Sequence, residues 1–155
     1  MCHEPKFFIC KHCGNLVVMI EKAGAKIICC DQPMNELVPN TVDTSSEKHL
    51  PVITFTGGFS ANAATVSIGN IPHPMTEEHH IEWVYLQTVQ GGQFKYLAVG
   101  QDPVVTFALA DKDAYSFCDR PICKMGREHC MFKCKRGFAA YAYCNLHGLW
   151  KTHMQ

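Results

Sequence analysis

Short apolar, β-branched runs broken by turn residues fill most of the chain, and no run carries a convincing helical period. In the larger part the runs are 50–56, 64–68, 79–89, 94–99, 104–109 and 139–143, with Gly57-Gly58, Gly91-Gly92 and residues 100–103 as turns between them. Runs of this length and spacing predict an antiparallel β-sandwich. The first part has a different grain: Cys10-x-x-Cys13, an apolar run at 16–20, a turn at 21–24, a second run at 26–28, then Cys29-Cys30. This predicts a hairpin with two thiols at its start and two at its end. Adjacent strand residues point to opposite faces, so Cys29 and Cys30 can share one ion only if the strand stops there; Asp31-Gln32-Pro33 supplies the turn. Residues 37–46 are polar and aperiodic, carry Pro39 and Asp43, and read as a linker. The expectation is an all-β chain of two unequal domains, 1–37 and 38–155.

Composition supports that division. A chain of 155 residues with 47% hydrophobic content can bury one substantial core and carry a small module. Lys plus Arg equals Asp plus Glu at 14 each, so no global field argues for nucleic acid or a membrane surface. The N-terminus, Met1-Cys2-His3-Glu4-Pro5, lacks a basic segment followed by an apolar run, and no stretch approaches the length of a membrane span. The expected compartment is the cytoplasm. There, ten cysteines are better read as metal ligands than as a disulfide framework. A module of the first 37 residues has too little core to stand alone, and four thiolates on one ion would hold it together. Zinc and iron both suit such a site.

A second constellation lies downstream. In Tyr143-Cys144-Asn145-Leu146-His147-Gly148-Leu149-Trp150, a cysteine and a histidine three residues apart precede a turn-forming glycine, so both side chains can turn toward one ion. Two ligands do not complete a site. Isolated histidines upstream offer the rest: His49 in Glu47-Lys48-His49-Leu50-Pro51, His73 in Ile71-Pro72-His73-Pro74-Met75, and the pair in Glu77-Glu78-His79-His80-Ile81. His79 shares strand parity with Ile81 and Trp83, whereas His80 shares it with Glu82, so His79 is the inward candidate and His80 has no assigned role.

Taken together, the segments 47–51, His73-Pro74-Met75 with His79, and 143–150 resemble the superoxide reductase family. The N-terminal cysteines are similar to the desulforedoxin-like domain of its two-iron members, the desulfoferrodoxins. The likeness spans nearly the whole chain. It implies an immunoglobulin-like sandwich, iron rather than zinc at Cys10, Cys13, Cys29 and Cys30, and a second iron held by His49, His73, His79 and His147 in a plane with Cys144 axial. It further implies one-electron reduction of superoxide to hydrogen peroxide at the position opposite the sulfur, Lys48 near that position to attract the anion and help deliver a proton, and Glu47 as the carboxylate closing the sixth position of the oxidised iron. Charge distinguishes the two irons. Four thiolates on ferric iron give a closed site of net minus one, fit only to pass electrons. Four imidazoles and one thiolate on ferrous iron give plus one with a position open, and the thiolate donates density to whatever binds opposite. The resemblance also implies a rubredoxin as electron donor and a homodimer. Two other functions compete with this one: an electron carrier whose histidine site is saturated, and a zinc-stabilised interaction module.

Residues 115–137 depart from the family pattern. They hold Cys118, Cys123, Cys130 and Cys134 among Arg120, Lys124, Arg127, Lys133, Lys135 and Arg136, against Asp119 and Glu128. Such an insertion has too few apolar residues to order itself, so a third ion, zinc or iron, is one expectation. Two disulfides or peroxide-reactive thiols, and free thiols in a basic loop, are the others. On any of these, the excess positive charge can dock an acidic donor or draw superoxide inward.

Overall fold

A computed structural model of the chain describes residues 4–43, 49–56, 62–114 and 138–154. The chain divides into two compact units, one made by His3–Pro39 and one by the residues from Asn40 onward. Among the described residues the only helical element is a 3-10 turn at Asp111–Ala114; everything else regular is strand. The protein is all-β.

In the smaller unit, β1 (Lys6–Ile9) pairs antiparallel with β2 (Leu16–Met19) on one side and β5 (Asn35–Leu37) on the other. A separate two-residue hairpin joins β3 (Ile28–Cys29) to β4 (Gln32–Pro33). The expected pairing of the 16–20 and 26–28 runs is therefore corrected, because each run has another partner. β2 pairs with the KFFI segment ahead of Cys10, whose Phe7 is 1% exposed and anchors the unit. Cys30 and Asp31, at φ 51° and 58°, are the central residues of the tight turn after Cys29. Positive φ at both is the backbone a two-residue hairpin with right-handed strand twist requires.

In the larger unit, β6 (Pro51–Thr56), β7 (Ala63–Ile68) and β10 (Val104–Ala108) form one antiparallel sheet in the order β10-β7-β6. β8 (Ile81–Gln87), β9 (Gly92–Tyr96), β11 (Ala139–Cys144) and β12 (Gly148–His153) form the other, in the order β12-β11-β8-β9. Strict alternation along β7 and β10 turns Ala64, Val66, Ile68, Val105 and Phe107 inward, where they meet Ile81, Val84, Leu86, Ala140 and Ala142 from the second sheet. This is a two-sheet sandwich with one core.

Two expectations fail here for local reasons. Ile81 and Val84, three residues apart, both enter the core, because the β8–β11 register shifts at Tyr143/Cys144 as a bulge. Parity from His79 thus holds to Ile81 and breaks before Trp83, which stacks instead on Tyr143 at 5.4 Å and 7° among Phe94, Tyr85 and Tyr141. Gly92 lets that cluster form: a Cβ there would fall 2.2 Å from the Tyr85 ring. The stretch read as a linker is tied down at Asn40 as well. Asn40 bridges to Trp150, accepting from Lys151 N at 2.9 Å and donating to Leu149 O at 2.8 Å through its main chain.

Candidate metal centres

In the smaller unit the Sγ atoms of Cys10, Cys13, Cys29 and Cys30 all lie within 4.8 Å of one another. Cys13 and Cys29 are 3.5 Å apart, Cys29 and Cys30 4.0 Å. Tetrahedral coordination with metal–sulfur bonds of about 2.3 Å separates sulfurs by ~3.8 Å, so the group fits one ion. Local structure explains the convergence. Cys10 directly follows β1, and a turn closed by Gly14 N donating to Cys10 O at 2.9 Å swings Cys13 back. The left-handed turn at Cys30 brings a second adjacent thiol to the same side. The thiols are electrostatically unequal. Main-chain N–H groups of Cys13 and His12 donate toward Cys10 and draw it down to about 6, whereas hydrogen bonding with Cys13 pushes Cys30 up to about 12 and holds Cys29 above its ordinary range. Four crowded sulfurs resist full ionisation until a cation shares them.

In the larger unit the histidines form a closed ring. Centroids lie 4.7 Å apart for His49–His73, 4.5 Å for His73–His79, 4.8 Å for His79–His147 and 4.8 Å for His147–His49, while the His49–His79 diagonal is 5.9 Å. Successive planes stand at 66° to 82°, each ring edge-on to the next. The ligand atoms of His49, His73, His79 and Cys144 fall within 4.8 Å of one another. His147 joins them through Nδ1, 2.9 Å from His49 Nε2 and 3.7 Å from Cys144 Sγ. Neighbouring ligands at right angles on bonds of about 2.1 Å sit ~3 Å apart, so the histidine spacing also fits one ion.

Each member is placed by a different device. Cys144 is the last residue of β11 and is fully buried; Gly148, at φ 78°, closes the three-residue loop to β12 and turns His147 toward the sulfur. His49 N donates to Asp43 Oδ1 at 2.9 Å, and its ring lies flat on Trp150 at 4.5 Å and 14°. His73 Nδ1 donates to the Pro74 carbonyl at 2.7 Å, which fixes the proton on Nδ1 and leaves the buried Nε2 with the lone pair. Thr76 holds the His79 loop, donating N–H to His79 O at 2.9 Å and accepting from His79 N at 3.1 Å. His80 points away, its Nδ1 donating to Thr76 O at 3.0 Å. Trp150, Asp43 and Thr76 drew no role from the sequence. Only their contacts disclose one, since a tryptophan at the end of a motif reads equally well as core.

His49 and His73 are buried, His79 is half-buried and His147 is exposed, so the ring is open to solvent on its His147 side. Glu47 and Lys48 lie outside the described residues, as do Cys118, Cys123, Cys130 and Cys134.

Fold and ligand geometry define an all-β protein with one four-sulfur group and one histidine–cysteine group suited to metal. Comparison with known proteins gives the family. The Desulfoferrodoxin family matches residues 41–153, and the Desulfoferrodoxin, N-terminal domain family matches residues 3–37. The chain belongs to the desulfoferrodoxin family. It is 34% identical over 153 residues to the desulfoferrodoxin of Nitratidesulfovibrio vulgaris, covering 98% of each chain. It is 36% identical over 116 residues to the superoxide reductase of Pyrococcus abyssi, covering 73% of this chain and 90% of that one. The crystal structure of the superoxide reductase from Treponema pallidum superposes with a TM-score of 0.68 at 30% identity, over 97% of this chain and 98% of the other.

Proposed function

We propose that the protein is a superoxide reductase, which converts superoxide, one electron and two protons to hydrogen peroxide. The observation that carries this is the closed ring of four imidazoles with a single thiol beside it. Iron bound there supplies the one electron that takes superoxide to the peroxide level. His49, His73, His79 and His147 are neutral donors and Cys144 is the one anionic donor, so the centre retains positive charge and draws an anion. Trp150 stacks on the buried His49, while His147 and the 60%-exposed Leu146 mark the side of the ring that meets solvent. Lys48, next to His49 in sequence, is the residue assigned to attract the anion and relay a proton. Glu47 is assigned as a carboxylate that would ligate the oxidised iron.

In this reading residues 1–37 form an iron domain whose four thiolates saturate their ion and pass electrons only, and residues 38–155 form the catalytic domain. A rubredoxin-like donor, a homodimeric state and a cytoplasmic setting belong to the same proposal, as does a third zinc or iron at Cys118, Cys123, Cys130 and Cys134. No helix among the described residues is long and apolar enough to cross a membrane. Family members named as superoxide reductases, from Pyrococcus abyssi and Treponema pallidum, support the activity.

A superoxide pulse delivered to anaerobically reduced protein tests it. Second-order consumption with one hydrogen peroxide formed per superoxide, and no oxygen evolved, is expected. Oxygen evolution, or superoxide persisting as it does in buffer, would overturn the assignment. Metal analysis of anaerobically prepared protein should give three ions per chain; two ions, with all four cysteines of the insertion alkylated in the native reduced state, would remove the third site.

A further inference from the structure

His79 presents a placement problem that the sheet does not solve. The β8–β11 ladder ends where Ile81 pairs with Cys144, so His79 lies two residues beyond the last rung. Thr76 fixes the shape of its loop without fixing where the loop sits. We propose that Asn145 is the positioning residue that sets this corner of the ring. It donates from Nδ2 to Glu78 O at 3.0 Å, accepts at Oδ1 from His80 N at 2.9 Å, and donates its own main-chain N–H to His80 O at 3.1 Å. The peptides on both sides of His79 are thus held by one residue. That residue sits between Cys144 and His147, so the three-residue loop that joins the thiol to one ring member also grips the segment that carries another, His79.

The chemistry of the side chain suits the task. A planar amide offers a donor and an acceptor on one rigid group, and here each is used on a different peptide. A carboxylate keeps only the acceptor, and an alkyl side chain keeps neither. Outer contacts of this kind orient ligands, and losing one typically weakens metal binding by ~10–100-fold. The inference rests on the reading of the histidine–cysteine group as an iron centre.

The test is iron release to a ferrous chelator from the full-length, iron-loaded protein, with Asn145→Ala, Asn145→Asp, His79→Ala and the doubles. His79→Ala identifies the kinetic phase of the centre, and the N-terminal phase serves as internal control. Asn145→Ala should accelerate that one phase by ~10–100-fold and Asn145→Asp by less, with little further acceleration by either in the His79→Ala background. The centre's thiolate-to-iron absorption should shift in the same order. Equal acceleration with and without His79, or acceleration of both phases, would show a general structural role and overturn the proposal. So would an unchanged rate in a background where His79→Ala does speed release. If His79→Ala is itself silent, the iron-centre reading falls along with the inference. Should Asn145→Ala fail to fold, Asn145→Asp carries the same cycle.

Discussion

The two candidate centres reach metal-ligand geometry by opposite routes. The four-sulfur group sits in a unit where only Phe7 and Cys10 are buried apolar side chains among the described residues, so its cysteines converge through tight turns. The imidazole ring sits at one end of a sandwich whose core includes Phe107, Phe138, Val66, Leu86 and Ile81, each fully buried or nearly so. In the first, an ion would make the fold; in the second, the fold makes the site. Four thiolates also saturate an ion, whereas the ring leaves one side exposed at His147. A closed site resting on its metal suits electron transfer, and an open site resting on a packed core suits binding a substrate.

The largest expected effect separates the two dependences. Removing metal should abolish hydrogen-exchange protection through residues 4–39, since structural ions in such small units contribute on the order of 10–16 kcal/mol, while the sandwich keeps its protection. Protection that survives chelation in the small unit would end the contrast. Cys13→Ser should reproduce the loss without changing the melting of the sandwich, and should leave superoxide reduction by chemically reduced protein largely intact.

The converse is Phe107→Ala, which empties a fully buried position. A loss of about 3–5 kcal/mol is expected in urea denaturation of the sandwich alone. Thiolate-to-metal absorbance of the metal-loaded four-sulfur group should not change at denaturant concentrations below the transition.

Next in size is Cys144→Ser. It should eliminate the thiolate-to-metal charge-transfer band of the second centre and weaken its metal by more than the ~10–100-fold cost of an outer contact, leaving the N-terminal band in place. An unaltered spectrum would remove Cys144 from the ligand set.

The pH dependence of metal uptake should also divide the centres. Cys30, raised to about 12, and Cys29, raised by its neighbouring thiols, are protonated near neutrality and must lose protons to bind. Apparent affinity at the four-sulfur group should therefore rise with pH between 7 and 9, on the order of tenfold per unit for each proton released. Cys10, lowered from 9.0 to about 6, acts in the other sense: its ionised form stabilises the metal-free unit above pH 9, and that contribution is lost as pH falls through about 6. Calorimetry in buffers of different ionisation enthalpy counts the protons. No proton release at pH 7 would contradict the raised thiols.

The smallest effect is kinetic. If Lys48 has the role proposed for it, Lys48→Ala should slow superoxide consumption several-fold and flatten its dependence on ionic strength, because losing a single steering charge changes encounter more than chemistry. Stopped-flow traces at two salt concentrations measure both quantities.

Strand content and the candidate donors that cluster in the fold were legible in the sequence because both depend on local chemistry: cysteine pairs with turn residues, isolated histidines, and apolar runs of strand length. Residues 64–68 and 104–109, read as apolar runs, are strands over Ala63–Ile68 and Val104–Ala108 whose alternate residues enter the core. Pairing partners were not legible, because any two β-branched runs of similar length satisfy the same local preferences. β1 took the partner expected for the 26–28 run, and the bulge opposite Tyr143 reversed the parity that placed Trp83 inward. The devices that orient the ligands were also hidden. Trp150 against His49 and the three bonds from Asn145 are contacts between segments at least 65 residues apart, and a linear chain carries no distance information of that range. Sequence chose the donors; tertiary structure decided which of their atoms face one another, because only packing and backbone hydrogen bonds set a ring's position to within the few tenths of an ångström that coordination demands.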